Sequence, residues 1–271
     1  MKLKEYFPSA IQSWRLNRIS AKKLRAGKEQ LPLVVSVKSF KPRIHLVHLA
    51  IKSIWAQSVL PQHTVLVLHE SHQHSLPKTL IDLEQEGLEI LYSPSDRSHY
   101  KLLRTLQVYP ELPIVTFDDD VLYQNNWLNI LFSEHLNYPQ DIIALQSRLI
   151  IKDSNNVWLP YKQWPTVFNN SNNPTNQLAI GGAGVLYPPR FFHPELHNDA
   201  LIESLCPKAD DLWFKVMALL QHISIRIPAN LPKAALPIIG SQGVSLGADN
   251  IKKDLNRTQW IRLCDYFNLD L

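Results

Sequence analysis

The 271-residue chain is 45% hydrophobic and 19% charged, so it can bury a core and is not compositionally disordered. Its 8 glycines and 19 prolines exclude a collagen-like chain or a flexible linker. The two cysteines, Cys206 and Cys264, lie far apart without a partner motif, which excludes a disulfide framework and a cysteine zinc site. No secretion signal and no run of ~20 apolar residues is recognisable, so we expect a cytoplasmic protein.

The net charge of +4 is concentrated at the N-terminus. Residues 1–30 carry +6, which leaves −2 for the remainder. This predicts a basic N-terminal arm attracted to an anionic surface, such as the inner face of the cytoplasmic membrane, rather than a nucleic-acid groove. On one continuous helical wheel, three apolar residues share a face that three basic residues continue: Phe7, Ile11 and Trp14, then Arg18, Lys22 and Arg25. That pattern is only weakly amphipathic, so a solvated or docked helix is the alternative.

From residue 31 the sequence alternates between predicted strands and helices. Strands are expected at 31–37, 64–70, 88–92 and 112–117, with helices at 44–57, 79–86 and 100–108. The strands are continuously apolar, which is typical of a parallel sheet covered on both faces. In such sheets ligands bind beyond the carboxyl ends of the strands.

Beyond residue 125 the pattern loosens. We expect a helix at 127–135, a strand at 142–147, a mobile polar loop at 169–177, and a strand or turn at 178–189. A helix at 209–222, a strand at 223–227 and a last helix at 258–267, with Asn256 as its candidate cap, complete the prediction. No linker divides the chain, so we expect one large α/β domain.

Three adjacent carboxylates, Asp118, Asp119 and Asp120, follow the strand at 112–117. They repel one another unless a cation or hydrogen-bond donors compensate them. In extended backbone Asp118 and Asp120 point the same way and can converge on one ion. Mg²⁺ or Mn²⁺, held by one or two carboxylates plus substrate phosphates, fits that position. The alternative is an acidic turn that caps the next helix.

Two further groups are candidates for chemistry, and a third pattern is not. Asp210 and Asp211 open the helix at 209–222, where the helix dipole alone also favours carboxylates. Gly181 and Gly182 permit close approach of the backbone to a ligand. The histidines around Glu70 match no common zinc spacing and predict a surface loop.

Several segments, in this order, resemble the motifs of GT-A fold glycosyltransferases, most closely of bacterial enzymes that build lipopolysaccharide, capsule or other surface glycans. They are VVSVKSFKPRI at 34–44, SIWAQS at 53–58, YKLLRTLQVYPELPIVTFDDDV at 100–121, GGAGVLYPP at 181–189 and ADDLWF at 209–214. The resemblance implies a Rossmann-like α/β domain with a mostly parallel sheet flanked by helices. Residues 31–125 would form its nucleotide-sugar half and 126–271 its acceptor side.

The resemblance also implies a nucleotide diphosphate sugar donor, most often UDP-linked, and a glycan or glycolipid acceptor. Asp118 and Asp120 would hold the metal, and Asp118 and Asp119 would contact the donor. Further donor contacts would come from Ser36, Ser39, Arg43, Lys101, Gly181 and Gly182. Asp211, or else Asp210, would be the general base of an inverting enzyme, a role that disappears if the enzyme retains configuration.

Other interpretations remain open. Arg43 could be a surface arginine at a helix start, and Lys101 could be solvated. The acidic cluster also suits a nucleotidyltransferase or phosphohydrolase, and the basic arm suits a non-enzymatic glycan- or nucleic-acid-binding module. For Gly240, Gly243 and Gly247 we expect a flexible segment that closes over the donor.

Overall fold

The computed structural model describes residues 2–170, 174–241, 250 and 252–269. Its helices are α1 Leu3–Arg18, α2 Ala21–Arg25, α3 Val47–Trp55, α4 Lys78–Gln85, α5 Tyr100–Val108, α6 Trp127–Asn137, α7 Asp199–Leu205, α8 Asp210–Leu220 and α9 Leu255–Phe267. Its strands are β1 Gln30–Lys38, β2 Leu60–His69, β3 Leu88–Ser93, β4 Ile114–Phe117, β5 Val121–Leu122, β6 Ile142–Ala144, β7 Ser147–Leu149, β8 Thr166–Val167, β9 Gln177–Ala179, β10 Val185–Tyr187, β11 Ile225–Arg226 and β12 Leu236–Pro237.

A seven-stranded sheet with the order β11-β6-β10-β4-β1-β2-β3 forms the centre of the described fold. Neighbouring strands are parallel except where β10 lies antiparallel between β4 and β6. Two small sheets, β12-β5 and β8-β7-β9, flank it. The predicted α/β class with a mostly parallel, helix-flanked sheet is confirmed.

Helices cover both faces of the sheet, and side chains alternate between these faces along each strand. On β1, Leu33, Val35 and Val37 join an apolar cluster with α3 and α6, while Val34 joins a second cluster with α5 and α8. This double burial explains why the strands are continuously apolar. None of the helices in the described ranges is both long and apolar enough to cross a bilayer.

The register of β1 and β4 shows which residues lie together at the carboxyl edge of the sheet. Val37 of β1 lies opposite Phe117 of β4 in a parallel pair, so Lys38 and Asp118 leave the sheet side by side. The loops after these two strands therefore share one crevice, as expected for the carboxyl edge of a parallel sheet.

Three local predictions are corrected. The segment 142–147 is not one strand, since β6 belongs to the central sheet and β7 to a small one. The predicted polar loop ends early, because Gln177 is buried in β9. The last helix begins at Leu255 with Asp254 as its N-cap residue, so Asn256 lies inside it and is not the cap.

Candidate active site

A cleft of about 290 Å³ opens at the carboxyl ends of β1 and β4. Its walls come from those strand ends, the loop after β1, the 3₁₀ turn Gly181–Ala183 and the start of α8. Most of the residues singled out from the sequence line it: Arg43, Lys101, Asp118, Asp119, Asp120, Gly181, Gly182, Asp210 and Asp211. Residues far apart in the chain are thus gathered in one cleft.

The acidic triplet divides between two basic side chains. Oδ1 of Asp118 lies 3.0 Å from Nζ of Lys101. Nη1 of Arg43 lies 2.8 Å from Oδ1 of Asp119 and 3.1 Å from Oδ2 of Asp120. The strand ends at Phe117 and the triplet forms a turn, so the extended alternation expected for Asp118 and Asp120 does not apply.

Asp119 is the buried member of the triplet. Its carboxylate accepts hydrogen bonds of 2.6 Å from Oγ of Ser39 and 2.8 Å from Nη1 of Arg43. Burial raises the pKa of Asp119, against the opposing effect of these two donors. Since Arg43 is itself buried, the alternative of a surface arginine is wrong. The Ser39, Arg43 and Asp119 side chains therefore fix the loop after β1 against the end of β4.

Lys101 joins the two acidic groups of the cleft. Its ammonium, on buried α5, contacts Asp118 and also lies 3.2 Å from Oδ2 of Asp210. Burial lowers the pKa of Lys101, but the nearby carboxylates Asp118, Asp210 and Asp211 outweigh it and leave the pKa well above its usual value. Lys101 is a buried cation, so the alternative of a solvated lysine is wrong.

The adjacent carboxyls Asp210 and Asp211 have opposite pKa shifts. Burial disfavours ionisation of Asp210, but Lys101, His99 and Ser98 together lower its pKa. Burial and the negative charge of Asp210 raise the pKa of Asp211 to about 8. Asp211 accepts a hydrogen bond from the Gly181 backbone N–H. A pair with separated pKa values offers a permanent anion beside a group that exchanges protons near neutral pH.

The glycine turn packs closely on these carboxylates. A Cβ on Gly181 would lie 2.8 Å from Oδ1 of Asp211, and one on Gly182 would lie 3.0 Å from Oδ2 of Asp118. The hydroxyl of buried Tyr123 accepts a hydrogen bond from Asp118 N and donates one to Gly182 O. Glycine here allows the backbone to approach both acidic groups.

Ser36 lies apart from the cleft. Its buried hydroxyl donates to the Lys101 carbonyl oxygen at 2.6 Å and lies 2.8 Å from Oγ1 of Thr105. This places Ser36 between β1 and α5, where it supports the helix that carries Lys101.

Sequence reasoning missed several residues that line the cleft, among them Lys38, Tyr161, Lys208 and Asn250. Lys38 ends β1 at the edge where ligands are expected, so its position was a usable signal. Burial lowers the pKa of Lys38 to about 8, against the opposing effect of Asp96. Tyr161, in the 3₁₀ turn Tyr161–Gln163, and Asn250 are distant from the strand ends in sequence and carried no comparable signal.

Asp118 and Asp120 are the residues of the cleft that would hold a cation, together with oxygens of a substrate. No group of three or more His, Cys, Asp or Glu side chains in the described part of the chain is arranged to hold a metal by itself, which includes the histidines near Glu70. Asp118 and Asp120 both line the cleft, and its six aspartates outnumber its four basic residues. Two carboxylates with phosphate oxygens from a substrate are a usual ligand set for Mg²⁺ or Mn²⁺.

Gly243 and Gly247, expected in a closing segment, lie outside the described residues.

No family model matches the chain, and no curated protein is similar to it in sequence. Among solved structures, it is similar to CMP:2-keto-3-deoxy-manno-octonic acid synthetase complexed with CTP, at 11% identity and a TM-score of 0.47, over 86% of this chain and 99% of that one. It is also similar to 4-diphosphocytidyl-2C-methyl-D-erythritol synthase from Anaerococcus prevotii DSM 20548, at 8% identity and a TM-score of 0.47, over 89% of this chain and 99% of that one.

Proposed function

We propose that this protein is a metal-assisted glycosyltransferase that moves a sugar from a nucleoside diphosphate donor to a hydroxyl of a glycan or glycolipid. The observation that carries the proposal is the double contact of Lys101, with Asp118 at 3.0 Å and Asp210 at 3.2 Å. This contact supports the proposal because Asp118, which would bind the cation, and Asp210, the neighbour of the proposed base Asp211, share one ammonium in the same cleft. An inverting, metal-assisted transfer to a hydroxyl uses both a cation and a base.

The donor side of this proposal rests on Asp118 and Asp120. These carboxylates would hold Mg²⁺ or Mn²⁺ together with the donor diphosphate. When bound, the cation neutralises the charge that develops on the departing nucleoside diphosphate. The Ser39, Arg43 and Asp119 contacts fix the loop after β1, where the nucleoside would bind. UDP-sugars are the first donors to test.

The acceptor side rests on Asp211. Its carboxylate would accept the proton of the acceptor hydroxyl while that oxygen bonds to the anomeric carbon and the bond to the diphosphate oxygen breaks. A base with a pKa of about 8 has the basicity that such a proton transfer requires near neutral pH. The permanent anion at Asp210 keeps Lys101 in place.

Nucleotidyl transfer is the second candidate, favoured by the cationic wall of the cleft. Lys38, Arg43 and Lys208 line it and offer charge for a triphosphate. An ionised phosphate or carboxylate nucleophile would need no base, so this reaction leaves Asp211 unused. The products distinguish the two reactions, since glycosyl transfer releases a nucleoside diphosphate and nucleotidyl transfer releases pyrophosphate.

The test begins with thermal shifts of the protein against nucleoside diphosphates, their sugars and nucleoside triphosphates, with and without Mn²⁺. Specific binding raises the melting temperature by mass action. Products are then measured with the ligands that bind. We expect a Mn²⁺-dependent shift with a nucleotide sugar and release of the nucleoside diphosphate.

The variant Asp120→Ala should lose the Mn²⁺-dependent shift, whereas Asp82→Ala, which removes an exposed carboxylate on α4, should keep it. Release of pyrophosphate from a triphosphate would assign nucleotidyl transfer instead, and release of inorganic phosphate a hydrolase. If no nucleotide shifted the melting temperature, both glycosyl transfer and nucleotidyl transfer would be rejected.

A further inference from the structure

Helix α1 exposes a continuous apolar stripe. Leu3, Phe7, Ile11 and Trp14 are 86%, 70%, 66% and 59% exposed. At about 100° per residue they fall within an arc of about 80° on the helix surface. Large exposed apolar side chains clustered on one helix face mark an interaction surface rather than the usual scatter of single exposed residues.

The opposite side of α1 is fixed to the fold. Ser9 and Leu16 are buried, and Oγ of Ser9 donates a 2.6 Å hydrogen bond to the Pro237 carbonyl oxygen. The helix packs on α3 and on β12. Because Ser9 and Leu16 face inward, the apolar stripe on the opposite side is held outward.

The structure corrects the weak pattern read from the sequence. The helical wheel assumed one continuous helix, but α1 ends at Arg18 and α2 starts at Ala21 after the N-cap Ser20. Lys22 therefore does not extend the stripe. The Arg18 guanidinium lies over the Trp14 ring, 4.4 Å from its centroid, at the end of the stripe.

Basic residues flank this face. Lys4, Arg15 and Arg18 are exposed on α1, whereas the single carboxylate of the helix, Glu5, bonds to the backbone N–H of Lys2. An apolar stripe bordered by cations is complementary to a bilayer that presents phosphates above acyl chains.

We propose that α1 lies in the interface of an anionic lipid bilayer. Leu3, Phe7, Ile11 and Trp14 enter the boundary between headgroups and acyl chains, and Lys4 and Arg15 contact the lipid phosphates. Electrostatic attraction brings the helix to the membrane, and burial of its apolar side chains keeps it bound there.

Membrane docking also positions the cleft. Helix α1 is bonded to β12, β12 pairs with β5, and the Ile238 N–H donates a 2.7 Å hydrogen bond to the Asp120 carbonyl oxygen. Contacts through β12 and β5 therefore link the acidic triplet to the membrane-facing helix. A lipid-linked acceptor would be held within reach of this cleft, a consequence that rests on the proposed function.

The test is sedimentation of the whole protein with vesicles of phosphatidylcholine alone or with about one third phosphatidylglycerol. It needs no donor or acceptor, so its outcome is separate from that of the proposed function. We expect binding to the anionic vesicles only, weakened by salt. The double variant Phe7→Ser and Ile11→Ser should reduce the partition coefficient by at least about tenfold, while thermal stability and nucleotide binding stay unchanged.

A matched control pair, Leu136→Ser and Phe192→Ser, removes side chains that are 64% and 53% exposed elsewhere on the surface. It should leave vesicle binding intact. Equal loss of binding in both pairs, equal binding to neutral vesicles, or no binding at all would overturn the proposal. So would a dimer in solution that Phe7→Ser and Ile11→Ser convert to monomer, because the stripe would then cover a second copy of the chain.

Discussion

The backbone N–H of Gly181 donates a 3.1 Å hydrogen bond to Oδ1 of Asp211. The carboxyl of the preceding residue, Asp210, instead lies 3.2 Å from the Lys101 ammonium. A neutral donor stabilises an anion less than a full positive charge does. Burial disfavours both anions, but Lys101 and its neighbours outweigh burial at Asp210, whereas burial and the negative charge of Asp210 leave the pKa of Asp211 raised.

This difference predicts the pH dependence of transfer. A base must be ionised, so kcat/KM should rise with pH up to about 8, the pKa of Asp211, and then level off. Asp211→Asn should lower kcat by about 10²–10⁴-fold and remove that rise. The measurement is kcat/KM between pH 6 and 9, with Asp82→Asn as the control. A flat wild-type profile would exclude Asp211 as the base.

The same group predicts a pH dependence of stability. Between the ordinary aspartate pKa and about 8, Asp211 is protonated when folded and ionised when unfolded. The folded state then binds more protons, so the free energy of unfolding falls as pH rises through this window. Asp211→Asn should remove that part of the decline and raise the melting temperature relative to wild type at pH 8. Parallel pH curves for both proteins would contradict the prediction.

Lys101 predicts a large stability effect. Lys101→Met removes the cation shared by Asp118 and Asp210 and leaves Asp210, which is mostly buried, without its charged partner. The cost should be about 3 kcal/mol, measured by urea unfolding. The control Lys78→Met breaks an exposed pair with Asp82 and should change stability by less than about 0.5 kcal/mol. Similar losses in the two variants would mean that the buried contacts contribute little.

The sequence predicted the parts of the site that local pattern records. A buried apolar strand followed by Asp118 specifies both a strand end and a position at the ligand edge of the sheet. Helix α5 was predicted with its observed bounds, because its apolar residues recur at helical spacing. Its placement beneath the triplet, which buries Lys101, depends on packing between segments and is not encoded in that spacing.

The features that the sequence did not predict depend on contacts between segments that are distant in the chain. Strand β10 is only three residues long, and its apolar sequence does not record that it runs antiparallel between β4 and β6. That direction brings the glycine turn next to Asp118, where Tyr123 joins them. The triplet itself turns rather than extends, because the strand stops at Phe117 and β5 begins at Val121.

Gly184 and Gly27 predict different costs for the same substitution. Both have positive φ, but a Cβ on Gly184 would lie 2.4 Å from the buried Trp127 ring, whereas one on Gly27 meets nothing within 4 Å. Gly184→Ala should cost about 3 kcal/mol or more, since overpacking adds to backbone strain. Gly27→Ala should cost about 1 kcal/mol. Urea unfolding of both variants measures the difference, and equal costs would show that the Trp127 contact relaxes freely.

Ser36 lies on β1 and Ser39 on the loop that follows it. Substituting each serine distinguishes a residue that supports the fold from one that affects donor binding. Ser36→Ala removes buried hydrogen bonds to Lys101 and Thr105 and should cost about 1 kcal/mol of stability, with KM for the donor unchanged. Ser39→Ala removes the 2.6 Å hydrogen bond to Asp119 and frees the loop that carries Arg43, so KM should rise. Unfolding and steady-state kinetics on both variants provide the comparison. If Ser36→Ala raised KM as much as Ser39→Ala, Ser36 would act on the donor through α5 and Lys101 rather than only support the fold.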